Sequence, residues 1–108
     1  MKLYIGGAYQ GQEELARSEN PNAEIIPSFH EIMRETVRQG GDAREFARKF
    51  IASHPDAVVV SDEIGGGIVP IDPFERAWRE GTGRALCIIA ANAQSVTRVV
   101  CGIGTRIK

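Results

Sequence analysis

The run Ala57-Val58-Val59-Val60, within HPDAVVVSDE, constrains this chain more than any other feature. It is continuously apolar, with no polar alternate to turn toward water, as expected of a strand covered on both faces. Just before it, Ala43, Phe46, Ala47, Phe50 and Ile51 recur at i, i+3, i+4, i+7 and i+8, which is one face of an amphipathic helix. Asp42 and Glu45 stand at the cap and third position of that helix. A helix feeding a doubly covered strand implies a parallel sheet with helices on its faces.

The rest of the chain repeats this alternation. Lys2 to Ile5 reads as a short strand and Gln12 to about Ser18 as a helix. Ala23 to Ile26 reads as a second strand, after the turn-rich SENPNA. Ser28 and Glu31 fit a capping box, with Phe29, Ile32, Met33 and Val37 on one helical face, and Gly40-Gly41 ends that helix. Asp72-Pro73-Phe74-Glu75 opens a last helix predicted to reach Asn92, with a weak point at Gly81-Thr82-Gly83. SVTRVVCGIG reads as a final strand and TRIK as an extended tail. The expected fold is therefore α/β: three layers, with a mostly parallel sheet of about four strands, as one domain over residues 1–108.

Composition narrows the function classes. The 13 basic and 14 acidic residues are balanced, so no nucleic-acid or anionic-membrane footprint is expected. No apolar run approaches a membrane span, and MKLYIGG is too short for a signal peptide. Cys87 and Cys101 form no CxxC, which fits a reduced, cytoplasmic setting, and both are expected to be small buried hydrophobes. His30 and His54 lack metal-ligand spacing, and His30 reads as a helix-terminal residue. Trp78 reads first as a core residue.

In a sheet of this kind ligands bind beyond the carboxyl ends of the strands, and two unusual loops sit there. GGAYQGQE follows the first strand. Gly6 and Gly11 have phosphate-loop spacing, and the following helix N-terminus favours an anion. Gln12 and Glu13 occupy the places of the loop's lysine and hydroxyl residue, so the loop taken alone reads first as a tight strand-to-helix turn. SDEIGGG follows the Val-rich strand. Asp62 and Glu63 stand where nucleotide-binding sheets place a carboxylate near magnesium, and three glycines suggest close backbone approach. A flexible connection with two solvated carboxylates is the alternative.

VVVSDEIGGGIVP resembles the pattern V-[ST]-[ND]-E-[VI]-G-x-G-I-V-P of the adenosylcobinamide kinase / adenosylcobinamide-phosphate guanylyltransferase family. The resemblance continues through Arg76, Arg79, Gly83 and Arg84, and through the closing VVCGIGTRIK. The strand followed by GGA is similar to the start of the family's G-G-A-R-S-G-K-S phosphate loop. It implies a shortened phosphate-loop NTPase fold of RecA-like type and a place in cobalamin biosynthesis. The implied nucleotide site comprises Gly6, Gly7, Ala8, Gly11, Gln12, Glu13, Asp62, Glu63, Gly65, Gly67 and Arg84, with Glu63 as the metal candidate. The implied ligands are GTP or ATP with magnesium, or a corrinoid, and the implied assembly is a homo-oligomer.

The departures set the expected activity. Tyr9, Gln10, Gln12 and Glu13 replace the loop's Arg, Ser, Lys and Ser, and Leu86-Cys87 replaces a polar Asn-Gln pair. The family's guanylyl-accepting histidine has no counterpart, since His30 lies in a different context. The leading expectation is a degenerate relative that binds a nucleotide or corrinoid without kinase chemistry. The alternatives are a reduced kinase or guanylyltransferase with a composite oligomeric site that uses Asp62, Glu63 and Arg84, or an oligomeric interaction module built on Phe74, Ala77 and Trp78.

Overall fold

In the computed structural model, which describes residues 1–108, the elements run β1 (Lys2–Gly6), α1 (Gln12–Glu19), β2 (Ile25–Ile26), α2 (Phe29–Arg38), α3 (Ala43–Ser53), β3 (Val58–Asp62), α4 (Pro73–Asn92), β4 (Ser95–Val100) and β5 (Ile103–Arg106). One sheet carries all five strands in the order β2-β3-β1-β4-β5. β1 to β4 are mutually parallel, with Leu3 opposite Val59 and Val96, and β5 runs antiparallel to β4.

The Val-rich strand is buried on both sides, as its composition requires. Val59 joins Leu3, Val96, Phe29, Met33, Ala47, Phe50 and Ile89 in the larger core, beneath α2, α3 and α4. Val58 and Val60 point the other way and meet Tyr4, Val99 and Ala16 beneath α1. The result is a three-layer α/β domain of the shortened phosphate-loop type expected from the sequence.

Four local expectations are corrected. SVTRVVCGIG is not one strand: Cys101 (φ 51°) and Gly102 (φ 76°) form a two-residue reversal that folds β5 back on β4, so the sheet has five strands rather than about four. Ser28 does not form a capping box, because its backbone is left-handed (φ 53°, ψ 47°) and its side chain makes no cap bond. Asp42 and Asp72 do cap, accepting from Arg44 N and Glu45 N and from Phe74 N. The Gly81-Thr82-Gly83 segment does not weaken α4, which is unbroken over its 20 residues. A Cβ on Gly81 would lie 3.2 Å from Ala43 Cβ and 3.4 Å from Val37 Cγ2, so glycine there brings α4 close to α2 and α3. Both cysteines are exposed rather than buried.

Candidate functional site

The loops after β1 and β3 leave adjacent strands at the same end of the sheet. The first leads to α1 on one face, and the second leads to α4 on the other. A crevice between such diverging loops is where open α/β sheets bind ligands. The first loop is fixed from below and from the side. A Cβ on Gly6 would meet Val99 O at 2.4 Å, so only glycine fits between β1 and β4. Gly102 N and Cys101 N donate to Gln10 O and Gln10 Oε1, both at 2.7 Å, which ties the loop to the β4–β5 hairpin. Gly11 takes φ 85° as it enters α1, a conformation that glycine adopts without steric cost.

Gln12 fills the inside of this loop. It is 5% exposed, and its amide nitrogen faces four oxygens: Asp62 Oδ1 at 2.8 Å, Gly7 O at 3.0 Å, Gly6 O at 3.3 Å and Ser61 O at 3.5 Å. A neutral donor thus sits where a phosphate loop places its lysine. Glu13 turns outward and pairs with Arg17 at 3.0 Å, one turn along α1. The cavity beside the loop measures about 530 Å³. Glu13, Glu14, Glu31 and Asp62 contribute carboxylates to its lining, and no lysine or arginine does.

His30 faces the same cavity and was not among the residues singled out as a site. It is 9% exposed, and its Nδ1 accepts the Asp62 backbone N–H at 3.0 Å. The neutral ring must therefore carry its proton on Nε2, which lies 3.5 Å from Asp62 Oδ2 and 3.8 Å from Glu31 Oε1. The Trp78 indole N–H donates to His30 O at 2.7 Å, and the Arg34 guanidinium lies 4.6 Å above the Trp78 ring. Trp78 is thereby engaged with α2 rather than presented as a free surface. No sequence spacing signals the bond between His30 and Asp62, which spans 32 positions.

Asp62 and Glu63 diverge. Asp62 turns to the loop cavity, whereas Glu63 lines a separate apolar cavity against α4. The Glu63 N–H donates to Gly6 O at 2.8 Å, and its Oε1 accepts from Gly65 N at 2.8 Å. No group of three or more His, Cys, Asp or Glu residues is arranged to hold a metal, so Glu63 has no protein co-ligand set around it. The GGG loop is strapped to α4. Arg79 donates to Gly65 O, to Gly66 O at 3.1 Å and to Ile68 O at 2.6 Å, and Arg76 donates to Pro70 O at 3.0 Å.

A profile of the family described as cobinamide kinase / cobinamide phosphate guanyltransferase matches residues 10–107. The chain belongs to that family. It is also similar to two bifunctional adenosylcobalamin biosynthesis proteins named CobU, from Salmonella typhimurium and Escherichia coli. Each is 45% identical over 51 residues, which is 47% of this chain and 28% of the relative. The matched stretch is thus well under two thirds of those proteins.

In this family member the expected site residues divide into three groups. Gly6, Gly7, Gly11, Gln12, Glu13 and Asp62 come together around the first loop, with Ala8 at its rim. Glu63, Gly65 and Gly67 belong to the strapped loop, where Gly67 takes φ 83°. Arg84 joins neither group: it pairs with Glu80 at 2.9 Å and borders a groove shared with Val37, Asp42 and Arg44. Arg76 and Arg79 anchor the second loop, because backbone carbonyls occupy both guanidinium groups.

Proposed function

We propose that this member of the family serves cobalamin biosynthesis by binding a corrinoid or nucleotide without transferring a phosphoryl group. The observation that carries the reading is the Gln12 amide, bonded to Gly7 O and Asp62 inside the phosphate loop. Phosphoryl transfer relies on fixed cations to stabilise charge on the moving group, and glutamine brings none. The carboxylates around the cavity add repulsion. Two like charges about 4 Å apart cost about 4 kcal/mol at an effective dielectric near 20. This balance favours the neutral, amide-fringed edge of a corrinoid over a triphosphate.

His30 supports the same reading. Its Nδ1 lone pair is taken by the Asp62 N–H, so Nε2 presents a proton rather than a lone pair to the cavity. In that state the ring is a hydrogen-bond donor, and it is not a nucleophile for a guanylyl group. The exposed Ile68, Val69 and Ile71 on the second loop support a homo-oligomer.

The test is a thermal-shift and turnover series with cobinamide, magnesium ATP and magnesium GTP. A ligand at about 100 times its dissociation constant stabilises the folded state by roughly 2.7 kcal/mol. Cobinamide is expected to raise Tm, and no nucleotide is expected to be consumed. Phosphorylation of cobinamide, or incorporation of guanylate into the protein, would overturn the reading.

A further inference from the structure

Gln12, His30 and Asp62 each commit one side-chain atom to the fold and keep a second one free. Gln12 turns Nε2 to Asp62 Oδ1 and the loop carbonyls, which fixes the orientation of the amide, and its Oε1 accepts no bond. His30 turns Nδ1 to the Asp62 N–H, which leaves the Nε2 proton. The oxygens nearest to that proton, Asp62 Oδ2 at 3.5 Å and Glu31 Oε1 at 3.8 Å, are too far for a good hydrogen bond. Asp62 Oδ1 takes the Gln12 amide, and Oδ2 accepts nothing. Gln12 is 5% exposed and His30 9%, yet both line the cavity beside the first loop, together with Asp62. Thr82 Oγ1, on α4, is the one unpaired side-chain polar atom sealed from solvent, so Gln12 Oε1 and His30 Nε2 are both within reach of a ligand.

The cavity therefore offers one free donor beside free acceptors, and a ligand that satisfies them must accept and donate at neighbouring atoms. A primary carboxamide does so on one planar group, with a carbonyl oxygen and two N–H donors. An ammonium would suit the carboxylate but would set the His30 proton against another donor. A carboxylate would accept from His30, but its charge would face that of Asp62 and Gln12 Oε1 would stay unpaired.

We propose that this cavity recognises a primary carboxamide, whose NH2 donates to Gln12 Oε1 and Asp62 Oδ2 and whose carbonyl accepts from His30 Nε2. The inference rests on the binding role proposed for the cavity and names the chemical group that it reads.

Propionamide is the probe, with propionate and propylamine as the acid and amine controls. Titrations of the full chain at neutral pH are followed by nitrogen-15 NMR of the His30 ring and the Gln12 side-chain amide. Propionamide at millimolar concentration is expected to give saturable shifts at both groups and to bind more tightly than either control. Asp62→Asn retains an oxygen for Gln12 Nε2 but turns an NH2 toward the ligand, and it is expected to weaken propionamide roughly tenfold or more. The ranking of the three probes on the parent chain decides the proposal even where that variant loses its fold. Absence of saturable shifts in the parent chain, tighter binding of propylamine or propionate, or unchanged affinity in folded Asp62→Asn would each overturn it. Cobinamide separates this inference from the broader reading. Cobinamide binding that leaves His30 and Gln12 unshifted would refute the carboxamide site and retain the corrinoid. Propionamide shifts without cobinamide binding would retain the site and refute the corrinoid.

Discussion

Replacing Gln12 with leucine removes the donor at the centre of the first loop while nearly conserving side-chain volume. The structure sets the size of the effect. The 2.8 Å bond to Asp62 Oδ1 is charge-assisted, and the 3.0 Å bond to Gly7 O is neutral. Bonds of those classes contribute about 2 and about 1 kcal/mol respectively. The added apolar burial of leucine offsets about 1 kcal/mol. The expected loss is therefore about 2 kcal/mol, equivalent to a Tm lower by about 10 °C in a domain of this size. Urea unfolding followed by Trp78 fluorescence reads it, and the midpoint should fall with an unchanged slope. Gln12→Glu is the companion variant: a carboxylate beside Asp62 should destabilise more at neutral pH and recover as pH falls through the carboxylate range. A leucine variant within about 0.5 kcal/mol of the parent would refute the view that Gln12 organises the loop.

Three further outcomes follow from specific contacts. Burial pushes the Tyr4 phenol above its ordinary value of 10.0, aided by its bond to Glu19 and opposed by Asn20. The folded state then holds this proton more tightly than the unfolded one, so stability is full below pH 10 and declines above it, and Tyr4→Phe should flatten that decline in thermal melts. Arg79→Ala should raise hydrogen exchange and proteolysis across residues 64–71 while leaving global stability within about 1 kcal/mol, since it frees only carbonyls of an exposed loop. Gly6→Ala should destabilise by about 3 kcal/mol or more in urea unfolding, because the new methyl would meet backbone rather than a movable side chain.

The fold was legible where a pattern is local. The Val-rich strand, the amphipathic α3 and the Asp-Pro start of α4 all follow from neighbouring residues, and each forms as read. The β4–β5 reversal was not legible, because Cys-Gly lacks the Asn-Gly or Asp-Gly signature of such hairpins although Gly102 supplies the needed freedom. At the site, glycine spacing marked both loops, and the missing lysine was plain. What spacing could not show is direction. Asp62 and Glu63 are adjacent in sequence, yet they line two different cavities. Nor could it show that His30 turns its Nδ1 to the Asp62 backbone, or that Gln12 folds inward while Glu13 folds outward. Those arrangements arise from long-range contacts that a linear reading does not encode.

The most direct test of the account is titration calorimetry of magnesium GTP and of cobinamide into the parent chain and into Gln12→Lys. A lysine at this position would place a cation among the Gly6 and Gly7 carbonyls and Asp62, which the present amide occupies. The account predicts that the parent binds cobinamide more tightly than magnesium GTP, and that the lysine variant gains GTP affinity. Micromolar GTP binding by the parent, unchanged in Gln12→Lys, would contradict it.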